Sequence, residues 1–258
     1  MSYEAILVEK QEHIATIILN RPEKLNTFNT PLARELNQAL LKLDEDDDVR
    51  VIVIKGAGEG FCAGIDMAEF EGKSPLEYYE WITLMDEAAK IISLIGKPVI
   101  ASAHKIAVAN GTGIVAAADM AIAAEGTKFG TTAINVGLFC TGPAVPLSRV
   151  LGRKKALELL MTGDIIDADE AARIGLVNKV VPIEKLEEET MILAKKLAAK
   201  SPLALQLGKK AFYKMSDMEY SKAFDISDNL FAVICTTEDA HEGVNAFLQK
   251  RKPEWKLK

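Results

Sequence analysis

The chain has 258 residues, 49% of them apolar and 26% charged, and a net charge of −6. That suffices for one large core, or for a core with an appended helical subdomain. The acidic balance, with no basic stripe, gives nucleic acid no surface to bind. The opening MSYEAILVEKQEHIATIIL carries acids early, unlike a signal or transit peptide. Residues 4–8 and 13–19 are β-branched runs split by Lys10-Gln11-Glu12, a hairpin pattern ended by Asn20-Arg21-Pro22. Thr30-Pro31 starts a helix on which Leu32, Leu36, Leu40 and Leu43 recur at helical spacing. Asp44 to Asp48 is read as a solvated acidic run closing that helix.

Residues 50–55 form a short apolar strand buried on both faces. Ser74-Pro75 opens a helix reaching about Ile95, Gly96-Lys97-Pro98 breaks it, and Val99 to Ala103 form another strand. A helix at 111–118, a strand at 119–123, helices near 143–150 and 153–161, a short helix after Asp167 and a strand to Val181 follow. Helices are expected at 183–199, 202–215, 218–234 and 238–249. Alternating strands and helices give an α/β core; the expected division is a core over 1–199 and a helical subdomain over 200–258. No run reaches the ~18 apolar residues of a membrane span. Cys62, Cys140 and Cys235 are dispersed with no CxxC pair, which argues against disulfides and a zinc site. A cytoplasmic protein without metal is expected.

Two segments carry chemistry. Gly56-Ala57-Gly58-Glu59-Gly60-Phe61-Cys62-Ala63-Gly64-Ile65-Asp66 follows a strand, and its glycines let the backbone approach a ligand, although such a stretch is by itself only a turn. It matches neither GxxxxGK[ST] nor GxGxxG. Asn110-Gly111-Thr112-Gly113 opens a helix whose first N–H groups are free and carry partial positive charge, a place for a developing oxyanion or simply a tightly packed helix of small residues.

Together these segments resemble the enoyl-CoA hydratase/isomerase (crotonase) family. Asn20-Arg21-Pro22-Glu23-Lys24-Leu25-Asn26, Phe61 to Asp66, Phe129-Gly130, Gly163, Ala171 to Val177 and Phe247 to Pro253 resemble its landmarks in the same order. Asn135-Val136-Gly137-Leu138-Phe139-Cys140 and the C-terminal FLQKRKP are similar to the branch typified by the mitochondrial enoyl-CoA hydratase domain-containing protein 3. The resemblance implies an α/β, ClpP-like spiral of ββα units with a C-terminal helical subdomain, assembled as a trimer or dimer of trimers. It implies an acyl-CoA thioester ligand, CoA being part of the substrate and no separate cofactor being needed. The N–H groups of Ile65 and Asn110 would hold the thioester oxygen beside Gly111. Ala63 C=O would receive the adenine amino group, Lys24 and Leu25 would line the CoA groove, and Lys250 would meet the 3′-phosphate.

The chain departs from the family where hydratases keep two glutamates. Counting back six residues from Asp119 puts the first at Gly113; counting from Phe129-Gly130 puts the second at Ala133. Neither side chain carries a proton, and hydration needs an acid and a base. Three side chains are candidates to compensate. Asp66 is the nearest matched carboxylate, or else a turn cap. Cys140 stands where a related synthase has an aspartate, or else is a small buried thiol. Asn135 could orient substrate or water, or else bonds backbone. A bound bicarbonate is a further option, as in some relatives. His104 and Lys105 are read as structural or interfacial. The leading expectation is an acyl-CoA enzyme that stabilises a thioester enolate, with ordinary enoyl-CoA hydration doubtful. The alternative is a non-catalytic acyl-CoA-binding protein.

Overall fold

A computed structural model describes residues 3–258. Strands β1 (Ile6–Gln11) and β2 (Ile14–Leu19) form the expected hairpin, turning through Glu12 and His13, both at positive φ. Helix α1 (Thr30–Glu45) follows, and its leucines at 32, 36, 40 and 43 are all buried, whereas Leu41 is exposed. Its cap is Asn29 rather than Thr30: Asn29 Oδ1 accepts from Leu32 N at 3.0 Å, and Pro31 lies inside the first turn. Strand β3 (Val51–Gly56) has Val51 to Ile54 buried throughout, as a central parallel strand requires. Helix α2 (Pro75–Leu94) starts in a full capping box between Ser74 and Glu77.

The next elements are β4 (Val99–Ala103), β5 (Ile106–Val108), α3 (Asn110–Ala117), β6 (Met120–Ala124), β7 (Lys128–Gly130), α4 (Thr141–Val150), α5 (Arg153–Thr162), β8 (Ile165–Ile166), α6 (Ala168–Arg173) and β9 (Lys179–Val181). Helices α7 (Leu186–Ala198), α8 (Pro202–Met215), α9 (Tyr220–Cys235) and α10 (Glu238–Leu248) complete the chain. A six-stranded sheet runs β1-β2-β3-β4-β6-β9, parallel from β2 onward, beside a second sheet of order β5-β7-β8. The chain thus winds as a spiral. β4, β5 and α3 make one turn, and β6, β7 and α4 the next, each placing one strand in either sheet before its helix.

The second sheet is absent from the sequence reading. Its strands have two or three residues, too few for an alternation to register. The acidic run also differs from expectation. Asp44 Oδ1 accepts from the backbone N–H groups of Gly96 and Lys97, at 2.9 and 3.1 Å. The Lys97 ammonium, itself buried, donates to the carbonyls of Leu43 and Asp46. The run therefore fastens α1 to the break after α2.

Helix α8 packs on α2, with α9 and α10 behind it, and Trp255 Nε1 donates to Ala199 O at 2.8 Å. Lys209 of α8 reaches Asp119 Oδ2 at 2.7 Å in a nearly buried pair. No helix among the described residues is long and apolar enough to cross a membrane.

Candidate active site

Two loops meet at the open end of the small sheet. Cys62 bridges Ala107 in parallel register, and Val108 N donates to Cys62 O at 3.0 Å. Two residues on, a Cβ at Gly64 would stand 2.9 Å from Ala109 Cβ, so the register continues and brings Ile65 beside Asn110. Adjacent strands lie about 4.8 Å apart. Ile65 is also held from its other side: Phe28 N donates to Gly64 O and Asp66 N to Phe28 O, both at 2.8 Å. That pattern turns the Ile65 N–H away from Phe28. Neither Ile65 N–H nor Asn110 N–H, the first of α3, has a protein acceptor among the described residues.

Local geometry fixes this pair. A Cβ on Gly111 would fall 2.2 Å from Cys62 O, so only glycine permits the close approach. Ala109, the N-cap of α3, sits at φ 48° and ψ −115°, a conformation that costs an alanine about 1–3 kcal/mol. The strain is held by Ala109 N donating to Gly130 O at 2.8 Å and by Thr112 Oγ1 donating to Ala107 O at 2.6 Å.

The Asn20 to Asn26 motif braces the first loop. The fully buried Asn26 donates from Nδ2 to Ala57 O and Gly60 O, at 2.9 and 2.8 Å, and accepts from Arg21 N. Ala63 N donates to Leu25 O at 3.0 Å, which sets the exposed Lys24-Leu25 turn against Ala63. Asp66 accepts from Arg21 Nη2 at 2.9 Å and from Ala68 N at 3.1 Å. Burial pushes its carboxyl up, but these partners outweigh it and hold it below the usual carboxylate range. Asp66 thus serves as a cap and an ion-pair partner. His104 likewise bonds Gly58 O, and Lys105 pairs with Glu59.

On the other side Asn110 and Gly113 lie with Asp86, Gly142 and Pro143 around one small cavity, and Cys140 bonds the Ala133 backbone. Cys140 is 6% exposed; burial pushes its thiol up, a hydrogen bond with the Ala133 backbone opposes, and Asp86 adds to the rise. Asp86, on α2, is the residue the sequence reading missed. Its Oδ1 accepts from Asn110 Nδ2 at 3.2 Å, and the same amide reaches Met85 O at 3.3 Å. A Cβ on Gly142 would fall 2.1 Å from both Asp86 carboxylate oxygens, so α4 carries glycine where the carboxylate lies. The signal was an acid inside the apolar stripe Ile82, Met85, Ala89, Ile92. Asn135, exposed, packs by Gly163 at the end of α5, and Lys250 follows α10, which packs mainly on α8 and α9. Neither joins the loops within one chain.

Burial pushes the Asp86 carboxyl up to about 6, with the Asn110 hydrogen bond opposing. The folded protein therefore keeps a proton that the unfolded chain releases near pH 4. Stability attributable to this group falls as pH rises from about 4 to about 6 and is flat above, by roughly 2–3 kcal/mol in all. Asp86→Asn should be more stable than wild type at pH 8 and lose that advantage near pH 4, as thermal unfolding at the two pH values will show.

A model of the enoyl-CoA hydratase/isomerase family matches residues 9–258. The chain belongs to the enoyl-CoA hydratase/isomerase family. It is 38% identical over 247 residues to the mitochondrial enoyl-CoA hydratase domain-containing protein 3 of Rattus norvegicus, covering 95% of this chain and 82% of that one. It is 36% identical over 254 residues to a crotonyl-CoA hydratase of Syntrophomonas wolfei, covering 98% of each. The crystal structure of human enoyl-CoA hydratase domain-containing protein 3 superposes with a TM-score of 0.93 at 36% identity, covering 98% of this chain and all of that one. The fold is thus the expected crotonase fold, and the likeness to the domain-containing protein 3 branch holds.

Proposed function

We propose that this chain binds an acyl-CoA thioester and stabilises its enolate between the N–H groups of Ile65 and Asn110. The observation that carries the reading is the pair of unpartnered backbone donors, set side by side by parallel register and locked by Gly111. Two donors aimed at one oxygen stabilise charge that develops there without further reorganisation. The CoA moiety would run beside Lys24-Leu25, where the Ala63 carbonyl has no donor among the described residues. Gly113 and Ala133 leave the site without the glutamate pair, so proton shifts next to the thioester are favoured over addition of water.

Assembly as a trimer or dimer of trimers belongs to the same reading, with α8 to α10 as the helical subdomain. Phe231, Phe247 and Leu248 stand 66%, 82% and 72% exposed on those helices, an apolar surface fit for burial between copies. The enzymatic reading is tested by exchange of α-protons of butyryl-CoA in heavy water, with binding measured by calorimetry. Binding with exchange is expected. Binding without exchange would leave the non-catalytic alternative.

A further inference from the structure

Resting on that reading, we propose that Asp86, hydrogen-bonded from α2 to the side chain of Asn110, is the catalytic proton carrier in place of the missing glutamates. Three features of the geometry converge on this carboxylate. It is hydrogen-bonded to the side chain of the residue whose backbone N–H forms half of the donor pair, which sets it one asparagine side chain from the bound carbonyl. It shares with Asn110, Gly113, Gly142 and Pro143 a cavity of about 10 Å³, close to the volume that admits one water. It also borders an open cleft of about 1550 Å³ between α2, α4 and α8, through which a proton can exchange with solvent.

The vacancy at Gly113 and the presence of Asp86 fit each other. A Cβ on Gly113 would press on Pro143 at 3.1–3.3 Å, so a longer side chain from α3 needs Pro143 of α4 to give by a few tenths of an ångström. The carboxylate comes instead from the opposite helix, over Gly142. Buried and held by an amide, it is poised to exist in both protonation states near neutral pH. The Cys140 thiol lies within electrostatic reach of it and stays protonated.

The step balances on this one group. The Asp86 carboxylate takes a proton from the α-carbon. The C–H electron pair moves into the thioester, whose oxygen becomes the oxyanion between Ile65 and Asn110. The carboxylic acid then returns the proton to the α-carbon, giving exchange, or to the γ-carbon of a β,γ-unsaturated acyl group, moving the double bond into conjugation. One carboxylate suffices for this shift.

The test compares wild type and Asp86→Asn in bicarbonate-free heavy water, following deuterium uptake into butyryl-CoA and conversion of 3-hexenoyl-CoA to its 2-enoyl isomer. Asparagine keeps the shape and still accepts from Asn110, so binding by calorimetry should be unchanged while both reactions fall by roughly 10²–10⁴-fold. Asp86→Glu should recover part of the loss. Gly142→Ala, which displaces the carboxylate but leaves it in the chain, should lower both reactions too. Equal rates in wild type and Asp86→Asn would overturn the inference while leaving the proposed function standing. Exchange that appears only on adding bicarbonate would assign the base to that anion and overturn it as well. A wild type that binds without exchange would overturn both.

Discussion

Crotonyl-CoA hydration should run about 10²–10⁴-fold slower than in a family hydratase that carries both glutamates, assayed side by side, because one well-placed acid or base contributes that much. Hydration adds hydroxide character to the β-carbon and a proton to the α-carbon, so it draws on two proton carriers at once. Gly113 and Ala133 supply none, Asp66 is tied to Arg21 and Ala68, and Asp86 is a single carboxylate. Restoring the first glutamate alone by Gly113→Glu should not recover the full rate, since Ala133 still supplies no second carrier and a Cβ at 113 lies a tight 3.1 Å from Pro143 Cγ. Loss of enoyl absorbance with time gives both rates. A turnover equal to the two-glutamate enzyme would show that other groups supply both proton carriers and would contradict this account.

Lys209→Met should destabilise the protein by about 3–5 kcal/mol, the cost of leaving one member of a buried ion pair uncompensated. Lys209 and Asp119 have side chains only 7% and 13% exposed, 2.7 Å apart. Asp119 also accepts from Val99 N at 2.7 Å and from Tyr213 Oη at 3.0 Å, so it ties the start of β4 and the end of α3 to α8. Burial raises the Asp119 carboxyl and lowers the Lys209 ammonium, in each case against the attraction of the partner. Desolvation thus offsets much of the pair's own strength. Replacing both, as Lys209→Met with Asp119→Leu, should cost less than the sum of the single changes, although the Val99 N–H then loses its acceptor. Urea unfolding of the four proteins measures this directly, and a single-variant loss under 1 kcal/mol would show that water reaches the pair.

Long periodic elements were legible in the sequence because their burial writes a pattern. The leucine stripe of α1 and the apolar run Val51 to Ile54 of β3 each gave their element within a residue or two. Strands β5, β7 and β8 were not legible, since two or three residues carry no period and their pairing is decided by distant chain. The site divides the same way. Gly111 and the donor loops could be placed because close backbone approach demands glycine at fixed positions in a motif. Asp86 could not, because its motif-free helix lies far in sequence from Asn110 and only the crossing of α2 and α3 brings the two together. Asp66 shows the converse: it matches a motif, yet its function in the fold is to cap a turn and pair with Arg21.

The isotope-edited infrared spectrum of butyryl-CoA labelled with ¹³C at the thioester carbonyl tests the central claim most directly. Bound to wild type, the carbonyl stretch should move to lower frequency than in water, because two N–H groups polarise it at once. Gly111→Ala, which must push Cys62 away and part the two loops, should abolish that shift. A bound carbonyl that absorbs at its solution frequency, or one whose shift survives Gly111→Ala unchanged, would contradict a donor pair formed by Ile65 and Asn110.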